Sequence, residues 1–193
     1  MAELRLDPAT TALVLIDLQR GITSGNLTPN AASDVVSRGA ELAAMFRSRK
    51  ALVVLVNVDP GPNGELFPRP AVDSPRPPFT MNSEWTDLVP ELDRQASDIC
   101  VTKHQPNAFY CTDLDVHLRR RGIRTIVLGG IATNLGVEAT ARAAFERGYE
   151  QVFVADAMTA RAEVLHTHSV THFFPTIGRV RTTHEVIAAL AKT

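Results

Sequence analysis

The sequence predicts an α/β fold: a single domain spanning residues 1–193, built on one six-stranded parallel sheet with helices on both faces. Three observations support this. Six short apolar, β-rich runs punctuate the chain, and each is continuous, the pattern of strands buried on both faces of a sheet. Helical stretches fall between them, and such alternation marks parallel crossover units. The 193 residues suffice for one core that takes roughly 70% of the unfolded chain's surface out of water.

The first run, TALVLID at 11–17, ends on Asp17. A helix is predicted over 30–49, where Val35, Val36, Leu42 and Phe46 share a face. It leads to the second run, ALVVLVNV at 51–58. The third, DICVTK at 98–103, ends on Lys103, and a helix over 112–121, opened by Thr112, precedes RTIVLGG at 124–130. A helix over 135–147 leads to QVFVADA at 151–157. Another over 161–173 leads to IGRVR at 177–181, and a last one over 183–191 closes the chain. The exception is 59–82, where Pro60, Pro62, Pro68, Pro70, Pro75, Pro77 and Pro78 forbid a helix or a central strand. Following the second strand, this segment is expected at the carboxyl edge of the sheet, either covering a ligand pocket or extending as an arm toward another subunit.

Hydrophobic residues make up 45% and charged residues 21% of the chain, with a formal net charge of -1. That balance argues against disorder and against nucleic acid as a partner, leaving a small uncharged or anionic metabolite as the expected ligand. The apolar run near the N-terminus is short and broken by Asp17, as in a buried strand rather than a leader or membrane span. A cytoplasmic protein is expected. Cys100 and Cys111 are the only cysteines, too few for a disulfide framework, and both are expected to be reduced.

Ligands of open parallel sheets bind beyond the carboxyl ends of the strands. Asp17, Lys103 and the turn at 131–136 fall there. An aspartate alone at a strand end often binds a loop amide. A carboxylate and an ammonium group at equivalent strand ends read instead as a catalytic pair.

The segments ALVLIDLQRGI, VTKHQPNAFYCTDLDVHLRRRGIRTIVLGGIATNLGVEATARAAFERGY and IGRVRTTHEVIAAL together resemble the isochorismatase-like cysteine hydrolase superfamily. That superfamily includes nicotinamidases, N-carbamoylsarcosine amidohydrolases and isochorismatases, and the resemblance covers nearly the whole chain. It is nearest to a bacterial subgroup with the same Thr-Asn-x-Gly-Val-Glu turn. It implies a Rossmann-like hydrolase fold and an Asp-Lys-Cys triad. Asp17 and Lys103 match the first two members, but Gly136 stands at the cysteine position. A glycine cannot form a thioester. Isochorismatases also replace this cysteine with glycine and cleave a vinyl ether without a covalent intermediate.

The resemblance further implies a cis peptide at Ile131-Ala132. Backbone amides near Ala132 and Gly136 would form an oxyanion or anion cradle at a helix start. Ile131, Ala132, Thr133, Asn134, Gln19, Phe109 and Trp85 are assigned to oxyanion and substrate binding, with Phe79 and Tyr110 as further candidate walls. Vinyl-ether cleavage needs a proton delivered to carbon and water added to the resulting cation; Asp17 is the expected donor. Lys103 would lower the Asp17 pKa and burial would raise it, and the sequence leaves that balance open.

Cys100 is expected to be core, on the face opposite Lys103. Cys111 is read as a small buried thiol, with a displaced nucleophile for amide hydrolysis as its alternative. His168 and His172, four apart, read as a structural or solvated pair. NVDPGP after the second strand lacks the Asp-x-His motif that nicotinamidases use for metal, so neither a metal nor another cofactor is expected. A catalytically silent metabolite-binding protein is the competing reading. A homo-oligomer, dimer or tetramer, is expected from the apolar faces over 135–147 and 161–173 and from the family's habit.

Overall fold

The computed structural model describes residues 4–74 and 81–191. Phe79, with Pro75, Pro77 and Pro78, lies outside the described residues. The strands β1 (Thr11–Ile16), β2 (Leu52–Val58), β3 (Ile99–Lys103), β4 (Thr125–Ile131), β5 (Glu150–Thr159) and β6 (Arg179–Arg181) form a single parallel sheet in the order β3-β2-β1-β4-β5-β6. The chain starts in the middle, builds outward to β3, then crosses back beside β1 to continue with β4. Ligands of such sheets bind at this reversal point.

Side chains alternate across β1. Leu13 and Leu15 enter one core with Val35, Leu42 and Phe46 of a helix over Ala32–Ser48 and Val186 and Leu190 of a helix over Thr183–Ala191. Ala12, Val14 and Ile16 enter the other, with Leu114 and Leu118 of Leu114–Arg120 and Ala141 and Ala144 of Glu138–Glu146. Both faces of the sheet are thus covered, which is why the central strands read as unbroken apolar runs. Each fully buried Leu, Val or Phe contributes about 1.5–3 kcal/mol.

The edge strand β3 behaves differently. Val101 and Lys103 are buried while Cys100 and Thr102 are exposed, on the face where the Thr102 hydroxyl donates to Asn57 Oδ1 at 2.8 Å. The expectation of a core Cys100 is corrected accordingly. Cys111 is exposed as well, in a turn where its φ is +52°, immediately before Thr112, whose hydroxyl accepts from the Leu114 amide at 3.3 Å. Neither thiol is buried.

Two departures from the predicted elements bear on the site. β5 runs two residues past its expected end, to Thr159, and its register with β4 shifts between Leu128 and Gly130, so that residues 154–157 stand against a single β4 residue. One of them, Asp156, accepts from the amide and hydroxyl of Thr183 at 2.8 and 3.0 Å and so anchors the last helix. The helix predicted over 161–173 is α-helical over Glu163–His168, widens to a π-turn at Ser169–Phe173 and restarts at Phe174–Ile177. Pro175, in the first turn of that restart, has no amide to continue the preceding ladder. Gly130, with φ +115°, lets β4 pass where a Cβ would overlap the Ile16 carbonyl. Only glycine fits there.

A cleft of about 540 Å³ lies at the amino edge, between Arg47, Lys50, Asp98 and Arg121. Arg47 is already committed there, donating to both Asp98 oxygens at 3.1 and 2.8 Å. Among the described residues no helix is long and apolar enough to cross a membrane.

Candidate active site

Asp17 follows the last residue of β1. Its amide donates to the Val56 carbonyl at 2.8 Å, and its φ of +54° turns the chain out of the sheet. Lys103 ends β3, on the far side of β2. Two strand spacings amount to about 10 Å, a gap that needs a side chain of lysine's length. The ammonium meets Asp17 Oδ2 at 2.8 Å, with the two side chains 1% and 7% exposed. Asp17 Oδ1 is buried and has no hydrogen-bond partner among the described residues. Burial pushes the Asp17 carboxyl up to about 6, against the opposing charge and hydrogen bond of Lys103. Desolvation of the carboxylate therefore outweighs the lysine, the balance that the sequence left open.

Gly136 completes the group. A Cβ built on it would lie 3.2 Å from Asp17 Oδ2, 3.5 Å from Lys103 Nζ and 3.0 Å from Ile16 Cγ2. The residue that replaces the expected cysteine thus faces the ion pair directly. It sits in a turn that begins after the Ile131-Ala132 peptide, which is cis, and continues as a π-turn over Thr133–Val137. The Ala132 carbonyl accepts from Leu135 and Val137 at 3.1 and 3.2 Å. Such widened turns are frequent at functional sites. Buried Thr140 donates to the Gly136 carbonyl at 2.7 Å and accepts from the Ala108 amide at 3.1 Å. The loop after β3 is thereby tied to the glycine turn.

Of the other assigned residues, Ile131 is buried and Ala132 and Asn134 are half-buried. Gln19 is fully buried and its amide is committed to backbone: Nε2 donates to Val58 and Trp85 carbonyls at 3.0 and 3.1 Å, and Oε1 accepts from the Val58 amide at 2.7 Å. Val58 is the register partner of Lys103, so Gln19 locks the three strand ends together. Gln19→Leu is expected to leave the Val58 amide buried without an acceptor, costing about 1–3 kcal/mol. Urea unfolding should show a lower midpoint at unchanged slope.

Trp85 is half-buried. Its carbonyl accepts from Gly21 at 3.0 Å and its indole fills the space a Cβ on Gly21 would need, which straps the segment before β3 beside Asp17. Phe109 is corrected from a pocket wall to a core residue. Its ring centroid lies 5.9 Å from Tyr149 and 4.9 Å from the Arg147 guanidinium. Both partners precede β5, which turns the ring toward the amino edge. Tyr110 is exposed.

His168 and His172 have ring centroids 5.6 Å apart on an exposed face. Among the described residues no three His, Cys, Asp or Glu side chains gather as a metal site. The sequence reading passed over His166, which is 7% exposed and bonded to the turn. Its position two residues before the conspicuous His168 carries no separate signal, since its partner Thr133 is 33 residues away.

An isochorismatase domain family matches residues 11–185. The isochorismatase family protein YecD of Escherichia coli O157:H7 is 44% identical over 97% of this chain and 100% of its own length. An isochorismatase family protein from Burkholderia thailandensis superposes with a TM-score of 0.93 at 46% identity, over 98% of this chain and 100% of that one. The ureidoacrylate amidohydrolase RutB of Methylobacterium radiotolerans is 34% identical over 83% of this chain and 72% of its own length.

Proposed function

This chain belongs to the isochorismatase family, a generally hydrolytic one, and from that premise we propose that it cleaves a small metabolite by water attack, with Asp17 and Lys103 assisting and no covalent intermediate. The observation that carries the reading is the convergence of Asp17, Lys103 and Gly136 within a few ångströms of one another, with no side-chain nucleophile at the third position. A vinyl ether is the substrate type that suits the set. Asp17 Oδ1, buried and without a hydrogen-bond partner among the described residues, is free to hold the proton while Oδ2 stays on Lys103. That proton passes to the vinyl carbon, the resulting oxocarbenium ion takes up water, which gives a proton back to the Asp17 carboxylate, and the hemiacetal formed collapses to carbonyl and alcohol. Lys103 orients the carboxyl and offsets negative charge on the substrate. The start of the helical segment after Ala132 favours an anionic group, and Gly136 leaves room for it or for the water.

Hydrolysis of an amide or ureido bond is a second reading, supported by the likeness to a ureidoacrylate amidohydrolase. It too would run through water here, with Asp17 ionised as a base. A panel of vinyl ethers, amides, ureido and carbamoyl compounds, assayed with wild type and an Asp17 variant in parallel, tests both. The pH dependence separates them. With the carboxyl at about 6, a proton donor gives kcat/KM that is flat below that pH and falls about tenfold per unit above it, whereas a base gives the opposite limb. A compound that raises the melting temperature and is never consumed would point instead to a metabolite-binding protein.

A further inference from the structure

His166, on the helix over Glu163–His168, places Nδ1 2.8 Å from the hydroxyl of buried Thr133. The same hydroxyl lies 3.0 Å from the Thr159 carbonyl, an atom that can only accept. A hydroxyl has one proton to give. With that proton on Thr159, the bond to the imidazole requires His166 to donate from Nδ1. Burial lowers the His166 pKa, with Glu163 opposing, so the ring is neutral near pH 7 and present as the Nδ1–H tautomer.

This chain of bonds acts on the glycine turn. Thr133 is the first residue of the π-turn that carries Gly136, and Thr159 is the register partner of Ile131 across β4 and β5. A second tie runs parallel to it: Ser169 donates to Glu138 Oε2 at 2.7 Å, and Glu138 opens the helix that follows the turn. The segment from His166 to Ser169 thus grips the turn at both ends, while a Cβ on Gly136 would lie only 3.2 Å from Asp17 Oδ2 and 3.5 Å from Lys103 Nζ. A shift of about 1 Å at such a site costs on the order of a hundredfold in rate.

We propose that His166 is a positioning residue, donating from Nδ1 to Thr133 to hold the 132–136 backbone against the Asp17–Lys103 pair. The proposal rests on the water-attack reading above only for its kinetic arm. His166→Ala is expected to lower kcat about 10–100-fold with little change in KM. His166→Asn, whose amide can donate from about the Nδ1 position, should restore most of that loss, and His166→Gln, which reaches toward Nε2, should not. Thr133→Val, which also loses the bond to the Thr159 carbonyl, should lower kcat at least as much as His166→Ala, and adding His166→Ala to it should cost nothing further.

Long-range ¹H–¹⁵N NMR of the wild-type protein should show a neutral Nδ1–H ring at pH 7. The 132–136 amide resonances should shift in His166→Ala and return in His166→Asn. An Nε2–H ring would overturn the proposal, as would wild-type kcat in His166→Ala or equal rescue by Asn and Gln. If no compound is turned over, the hydrolase reading fails while the tautomer and the amide shifts still decide this one. If His166→Ala does not fold, the comparison of the Asn and Gln variants decides it.

Discussion

Replacing Asp17 with asparagine is expected to lower turnover by about a thousandfold while the protein stays folded, since a positioned acid or base typically contributes about 10²–10⁴ in rate. The substitution preserves shape: the amide oxygen can still accept from Lys103, now at the 2.8 Å contact made by Oδ2. It removes the transferable proton, and among the described residues no other acid is bonded to the Lys103 ammonium. The variant also leaves an ammonium group buried without its counter-ion. Breaking a buried pair costs about 3–5 kcal/mol, within the 5–15 kcal/mol that separates a typical native domain from its unfolded chain. Circular dichroism and the unfolding midpoint measure that side of the prediction separately from the assay. Full activity in Asp17→Asn would remove Asp17 from the mechanism.

Lys103→Met should also cost about 3–5 kcal/mol of stability at pH 8, a loss that shrinks as the solution is acidified. In the wild type the native Asp17 pKa of about 6 exceeds the ordinary aspartate value of about 3.9. The group's contribution to stability is therefore fully present below the unfolded value and is lost as pH rises through about 6. Lys103 supplies the two influences that pull this pKa down. Without it the native pKa rises further, and the loss continues to higher pH. Urea unfolding at pH 5 and pH 8 should show a small deficit at the lower pH and a large one at the higher. The double variant Asp17→Leu/Lys103→Met should be more stable at pH 8 than Lys103→Met alone, because no charge remains buried. A deficit independent of pH would mean that lysine packing, and not the charge pair, sets the cost.

Much of the fold was legible because its signals are local. The apolar runs at 11–17, 51–58 and 124–130 lie in central strands covered on both faces, and a strand so placed needs no polar side. Asp17 and Lys103 were legible for the same reason, as charges at the ends of such runs, and glycine at position 136, where the resemblance implies a cysteine, was legible through that resemblance. Cys100, Phe109 and His166 were not legible. Alternation places Cys100 on a face, but only the strand order puts that face at an uncovered edge. Phe109 follows a turn whose direction depends on Arg147 and Tyr149, more than 35 residues away.

The sequence by itself determined which residues could become strands and which charges would stand at their ends, since these follow from side-chain identity and short-range periodicity, while glycine at the cysteine position was read from the family resemblance. Only the tertiary structure decided that burial prevails over Lys103 in raising the Asp17 carboxyl, that both cysteines face solvent, and that a buried histidine grips the glycine turn. Desolvation and hydrogen-bond partnership are properties of neighbours brought together from distant parts of the chain, and no local pattern encodes them.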